Sequence, residues 1–251
     1  MRFRIDPDVK FDNRSRLNIK WTALDGIVSM IVLVLLLAGI YFGASGVLKS
    51  LGKGEFLNIS NINNISFSLF YGIQVILMLG VVWFFAIFWR RASFKDLGLN
   101  YYSIAKTLWY SFLFLIVIFL ISFLYVYVLK SFFNIEAPQS KVEQLVRNRS
   151  ISANILLFVV AVVAPFCEEL YFRGFLYSAF KKSWGVTGGL FLSSFLFALA
   201  HMEPYSFVPI MIIGWILAYV FEKTKSLFPS IFLHGLYNLV SILILFWQLG
   251  F

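Results

Sequence analysis

The chain has 251 residues, of which 61% are hydrophobic, 20% aromatic and only 13% charged, and its formal net charge is +9. A mean hydropathy of +0.86 excludes the balance of apolar core and polar shell that a water-soluble domain needs, and places the chain in the polytopic membrane class. The positive charge reads as membrane topology and contact with an anionic lipid bilayer; no other feature points to nucleic acid, and no nucleic-acid partner is expected.

A basic head (Arg2, Arg4, Lys10, Arg14, Arg16 and Lys20, within residues 1–21) precedes a first apolar run at about 22–44. Both regions are too long for a secretory signal and no small-residue cleavage pattern closes them, so an uncleaved first span is expected. Further runs lie at about 66–90, 108–130 and 153–180. Three shorter ones follow at about 187–202, 206–221 and 228–249, separated by Glu203-Pro204 and by Glu222-Lys223-Thr224-Lys225. These lengths suit hydrocarbon-spanning helices. The expected fold is an all-α transmembrane bundle of about seven helices, with room for an eighth in an interfacial or re-entrant piece.

Alternating the loops from a cytosolic N-terminus puts 14 of the 21 basic residues inside, including Arg90, Arg91, Lys95, Lys106, Lys181, Lys182, Lys223 and Lys225. Six fall outside, at Lys49, Lys53, Lys130, Lys141, Arg147 and Arg149, so the bias favours N-in and C-out. The Asn-rich stretch at 58–64 then reads as an exterior loop, and the sequons at Asn58, Asn64 and Asn148 matter only in a secretory eukaryotic setting. The single cysteine, Cys167, excludes an intramolecular disulfide.

Polar groups inside the apolar half carry the functional information. Glu168, Glu169 and Arg173 lie in the fourth run, His201 ends the fifth, and His234 and Asn238 lie in the last. Each charge near the centre of a membrane helix costs about 2.5 kcal/mol or more, so a cluster asks for a functional reason. At 1.5 Å per residue, Glu168 lies about 18 Å from the cytosolic end of its helix, His201 at nearly the same depth, and His234 and Asn238 roughly 9–15 Å from that surface. Glu169 with Arg173, and His234 with Asn238, are i and i+4, so each pair projects from one side of its helix.

Glu-Glu-x-x-x-Arg, Phe-x-x-x-His and His-x-x-x-Asn on successive helices resemble the three motifs of the CPBP family, the CAAX-protease and bacteriocin-processing (ABI) group of intramembrane endopeptidases. The resemblance covers about residues 140–250. It implies a CPBP-like catalytic core at 140–251, preceded by the N-terminal transmembrane helices at 22–130 that hydrophobicity alone indicates. It also implies that Glu168 is the base activating a water, that His201 holds that water, that His234 and Asn238 bind the oxyanion, and that Glu169 and Arg173 support the site. Phe-Lys-Asp-Leu-Gly-Leu at 94–99 is similar to a segment often found upstream in bacterial members. The substrate partner expected is a peptide or membrane protein, such as a pheromone or bacteriocin precursor, with prenylated CAAX proteins as the alternative. Short loops fit a bacterial plasma-membrane member.

No cofactor is expected on this reading. Two His and two Glu are also a possible zinc set with an open water position, although an amide such as Asn238 suits an oxyanion better than zinc. A non-catalytic alternative is self-immunity or peptide binding, since charged membrane helices also serve other ends. Bland readings stand beside these: Glu169–Arg173 as a packing ion pair, Cys167 as inert packing, Phe197 as packing, Glu203 as a solvated loop charge, and Trp83, Trp89, Trp109 and Trp247 as interfacial or lipid-facing residues.

Overall fold

In a medium without water the backbone must satisfy its own hydrogen bonds, and long apolar runs do so as helices. The computed structural model describes residues 17–52, 64–147 and 151–250. The basic head up to Arg16, most of the Asn-rich stretch and the sequons at Asn58 and Asn148 lie outside the described residues. Among the described residues every regular element is helical, and six helical segments are long and apolar enough to cross a membrane. The chain is an integral multi-pass membrane protein.

The elements are α1 (Ala23–Ser50), α2 (Asn64–Trp89), α3 (Ile104–Phe133), a short α4 (Lys141–Arg147), the 49-residue segment Ala153–His201, α7 (Phe207–Thr224) and α8 (Leu227–Leu249). The 49-residue segment is not one rod. Trp184 and Gly185 leave the helical conformation, with Gly185 at φ +73°. A Cβ built on Gly189 would lie 3.0 Å from the backbone nitrogen of Lys181, whereas residues eight apart in a straight helix are separated by about 12 Å. The chain therefore reverses into a hairpin of α5 (residues 153–183) and α6 (residues 186–201). Its register is set by Phe172 against Phe197, whose ring centroids are 5.1 Å apart. With that turn, the seven apolar runs correspond to seven long helical passes among the described residues.

One end of the bundle is tied by polar contacts. Arg90 donates to Asp25 Oδ1 through Nε at 3.1 Å and Nη2 at 2.9 Å, Trp21 Nε1 donates to Phe175 O at 2.9 Å, and Lys182 Nζ donates to Ile19 O at 2.9 Å. Glu222 accepts from Tyr177 Oη at 2.6 Å and from Lys181, and pairs with Lys225. The segment around 94–99 docks at this end. Leu97 is fully buried, Gly98 sits at φ +91°, and Leu227 N donates to Gly98 O at 2.8 Å. At the other end Lys141 Nζ donates to His201 O, and Tyr125 Oη to Tyr205 O. The helix ends thus gather as the loop alternation requires.

Burial follows polarity. Residues 170–177 of α5 are all buried, and Tyr171, Phe172, Phe175 and Tyr177 form the main core with Trp21, Leu97, Phe197 and Phe221. α1 and α3 are apolar but expose most of their surface, as do Trp83, Trp89, Trp109 and Trp247. This is the arrangement of a membrane bundle, in which the helix bearing a mid-helix cluster of ionisable groups turns inward and helices with long apolar stretches meet lipid.

Candidate active site between α5, α6 and α8

Local backbone geometry on α5 sets up the site. Pro165 has no N–H to give one turn back, and the stretch Val159–Val163 just before it is π-helical. α8 covers this weak point. Asn238 Nδ2 donates to Val160 O at 2.9 Å, and Gly235 packs directly on the Ala161 carbonyl, where a Cβ would collide with the oxygen. The sequence His-Gly-Leu-Tyr-Asn thus serves contact between the helices: Gly235 permits the approach, Asn238 satisfies the carbonyl, and His234 is carried against α5. Gly235→Ala is expected to push α8 away and cost about 1–3 kcal/mol, the range for overpacking, read as a lower melting temperature in a fixed detergent.

The buried polar cluster forms around Glu169. Its Oε1 accepts from Arg173 Nη1 at 2.8 Å and from His234 Nδ1 at 2.9 Å. The Glu169 and Arg173 side chains are fully buried, and His234 is 4% exposed. Arg173 Nη2 donates to Gly214 O of α7 at 3.1 Å, and the guanidinium lies 4.2 Å over the Phe197 ring of α6. Arg173 therefore touches α5, α6 and α7 at once. Glu169 Oε2 and Arg173 Nε have no hydrogen-bond partner among the described residues. An ion pair this deep is costly to desolvate and weak evidence for stability; its clear geometric effect is on His234.

A carboxylate only accepts, so His234 Nδ1 carries the proton and Nε2 points to the other side. There Nε2 is 3.9 Å from Glu168 Oε2, beyond direct hydrogen-bond distance. Glu168 is 22% exposed and lies within electrostatic range of Tyr71 on α2. His201 Nδ1 meets Phe197 O at 2.7 Å. A carbonyl also only accepts, so His201 Nδ1–H is fixed and its Nε2 is left as the free nitrogen. Phe197 separates the two imidazoles, with ring centroids 4.6 Å from His201 and 5.7 Å from His234.

His201, His234 and Asn238 line one cavity of about 470 Å³. Pairing Phe172 with Phe197 in an antiparallel hairpin sets Glu168 level with His201, the depth expected from residue counting. Glu168 is not part of the cavity wall, however, and reaches the group through His234 Nε2. Among the described residues no three or more His, Cys, Asp or Glu side chains are grouped to hold a metal ion.

Comparison with known proteins bears on this half of the chain. Residues 150–240 match the family model described as type II CAAX prenyl endopeptidase Rce1-like. Over this stretch the chain is similar to that family. It is also similar to two proteins of Lactococcus lactis subsp. lactis (strain IL1403). UPF0177 protein YbdI is 34% identical over 86 residues, 34% of this chain and 46% of that protein. UPF0177 protein YxdF is 26% identical over 83 residues, 33% of this chain and 45% of that protein. The match spans less than half the length of these curated relatives. No solved structure matches the chain.

The matched segment begins before α5 and closes within α8, so it holds all six motif residues and excludes α1 to α4. Two features escaped the motif reading. Glu169 holds His234 as well as Arg173, a contact across 65 residues that no spacing rule reveals. Glu203, expected as a solvated charge, lines the cavity with Tyr205 and Ser206; the one sequence signal is a cluster of polar residues around Pro204. Cys167 is buried and Phe197 packs against both imidazoles, as their bland readings expected.

Proposed function

We propose that the chain is an intramembrane endopeptidase that hydrolyses peptide bonds of small or membrane-associated peptides. The observation that carries this reading is His234, clamped through Nδ1 by buried Glu169 while its Nε2 faces Glu168 and the cavity shared with His201 and Asn238. Glu168 serves as base: it takes a proton from a water whose oxygen adds to the peptide carbonyl carbon. His201 Nε2 accepts a hydrogen bond from that water and fixes it. The oxyanion is held by His234 Nε2–H in the imidazolium form and by the second N–H of Asn238, whose first is given to Val160 O. Glu168 then delivers its proton to the leaving nitrogen as the C–N bond breaks. Glu169 and Arg173 position His234 and are not themselves at the reacting atoms.

Likeness to a family of CAAX prenyl endopeptidases supports a protease, and prenylated CAAX proteins are the alternative substrates to peptide pheromone or bacteriocin precursors. Likeness to the Lactococcus lactis proteins favours a bacterial plasma membrane. The site works without a cofactor on this reading; inhibition by a membrane-permeable chelator with recovery on adding zinc would move it to the metal-dependent version. The deciding experiment compares secreted and membrane peptidomes of cells carrying the native chain and Glu168→Ala at equal membrane levels. A precursor that accumulates uncut only with Glu168→Ala is the expected result. Identical peptidomes under conditions where the protein is needed would replace proteolysis by immunity or peptide binding.

A further inference from the structure

The cavity that holds His201 and His234 has a second polar wall that the catalytic roles leave unused. It is built by Ser122 and Tyr125 of α3 and by Glu203, Tyr205 and Ser206 of the α6–α7 connection. α3 lies outside the matched segment. Ser122 Oγ and Tyr205 Oη are buried and have no hydrogen-bond partner among the described residues, a costly state for hydroxyls in an apolar bundle. The wall is held in place: Tyr125 Oη donates to Tyr205 O at 2.8 Å, and the two rings meet edge to face with centroids 6.0 Å apart.

Charge gives the wall its sign. Glu203 has no ion pair and its carboxylate has no hydrogen bond among the described residues, and no Lys or Arg lines the cavity. Lys141, the nearby cation, is committed to His201 O at 3.3 Å and is not part of the wall. A carboxylate that lines the same cavity as two hydroxyls with free lone pairs supplies acceptors, and an ammonium or guanidinium carries only donors. At the apolar edge of a bilayer such a pairing is worth more than in water.

We propose that Ser122, Glu203 and Tyr205 form a substrate subsite for one cationic group, a Lys or Arg side chain or a peptide N-terminal amine, carried by the peptide that occupies the cavity. The subsite rests on the proteolytic reading only in taking this cavity as the peptide's place, and binding tests it apart from turnover. The probe is a short labelled apolar peptide with a single Lys, beside its Leu and Glu counterparts, titrated by fluorescence anisotropy against the full chain carrying Glu168→Gln in lipid nanodiscs.

The Lys peptide is expected to bind about tenfold tighter than the Leu peptide, the effect of one charge-assisted hydrogen bond, and the Glu peptide weakest. Adding Glu203→Gln brings the Lys-to-Leu ratio near one, Glu203→Lys turns the preference toward Glu, and Ser122→Ala with Tyr205→Phe lowers the ratio. Equal binding of the three peptides, absence of binding by all three, or a ratio that survives Glu203→Gln overturns the subsite. A Lys preference in binding without cleavage by the native chain leaves the subsite standing and removes the proteolytic reading; cleavage that ignores peptide charge does the reverse.

Discussion

Glu168→Gln is expected to lower kcat by about a thousandfold, within the range that a positioned general acid or base contributes, while KM and the melting temperature stay near those of the native chain. The structural half of this expectation follows from exposure. Glu168 is 22% exposed, stands 3.9 Å from the nearest His234 nitrogen, and has no hydrogen bond to its side chain among the described residues, so an isosteric amide removes no packing contact. The chemical half follows from the same isolation: a carboxylate not committed to a partner is free to accept a proton from water and return it. The measurement is turnover of a quenched peptide by purified protein, with thermal unfolding as the control. Native-like turnover with Glu168→Gln would remove Glu168 from the base role. Loss of turnover together with a large fall in melting temperature would make it a structural residue.

Most of the fold was legible because a bilayer makes hydrophobicity a length measurement. The runs at 22–44, 66–90 and 228–249 became α1, α2 and α8 with ends moved by a few residues, since polar flanks continue a helix beyond the apolar stretch. The hairpin at Trp184–Gly185 was legible as a gap between runs because a glycine follows the basic pair Lys181 and Lys182. What spacing could not give was rotation about helix axes. Residue counting set Glu168 and His201 at one depth, which the Phe172–Phe197 register supports, yet it could not tell that Glu168 lies off the cavity wall.

The same blindness hid the Glu169–His234 contact, because i and i+4 logic links Glu169 only to Arg173 on its own helix. Segment 94–99 looked like a minor likeness, yet buried Leu97 wedges it beneath the core, where an added Cβ on Gly174 would lie 2.8 Å from the Leu97 carbonyl oxygen. Tertiary contacts of this kind leave only a glycine and a leucine in the sequence.

The second large effect belongs to the buried pair, and it separates positioning from packing. Removing one partner, as in Glu169→Leu or Arg173→Met, leaves a charge buried without its counter-ion and is expected to destabilise by about 3–5 kcal/mol. The double variant Glu169→Leu with Arg173→Met replaces both charges by apolar side chains and is expected to regain most of that loss, because apolar replacement of a buried ion pair is often neutral or better. The remaining deficit, about 1–3 kcal/mol for each lost partner, comes from Gly214 O and His234 Nδ1. Activity is expected to part from stability at this point. Without Glu169, nothing fixes the proton on His234 Nδ1 or aims Nε2, so turnover should stay about a hundredfold or more below native even when the fold has recovered, the scale of losing one oxyanion donor. Thermal unfolding and peptide turnover on the two single variants and the double variant form the test. A double variant that regains both would reduce Glu169 to packing. One that regains only stability identifies the ion pair as the device that holds His234 in its working orientation, with Arg173 in place to hold the Glu169 carboxylate still beneath it.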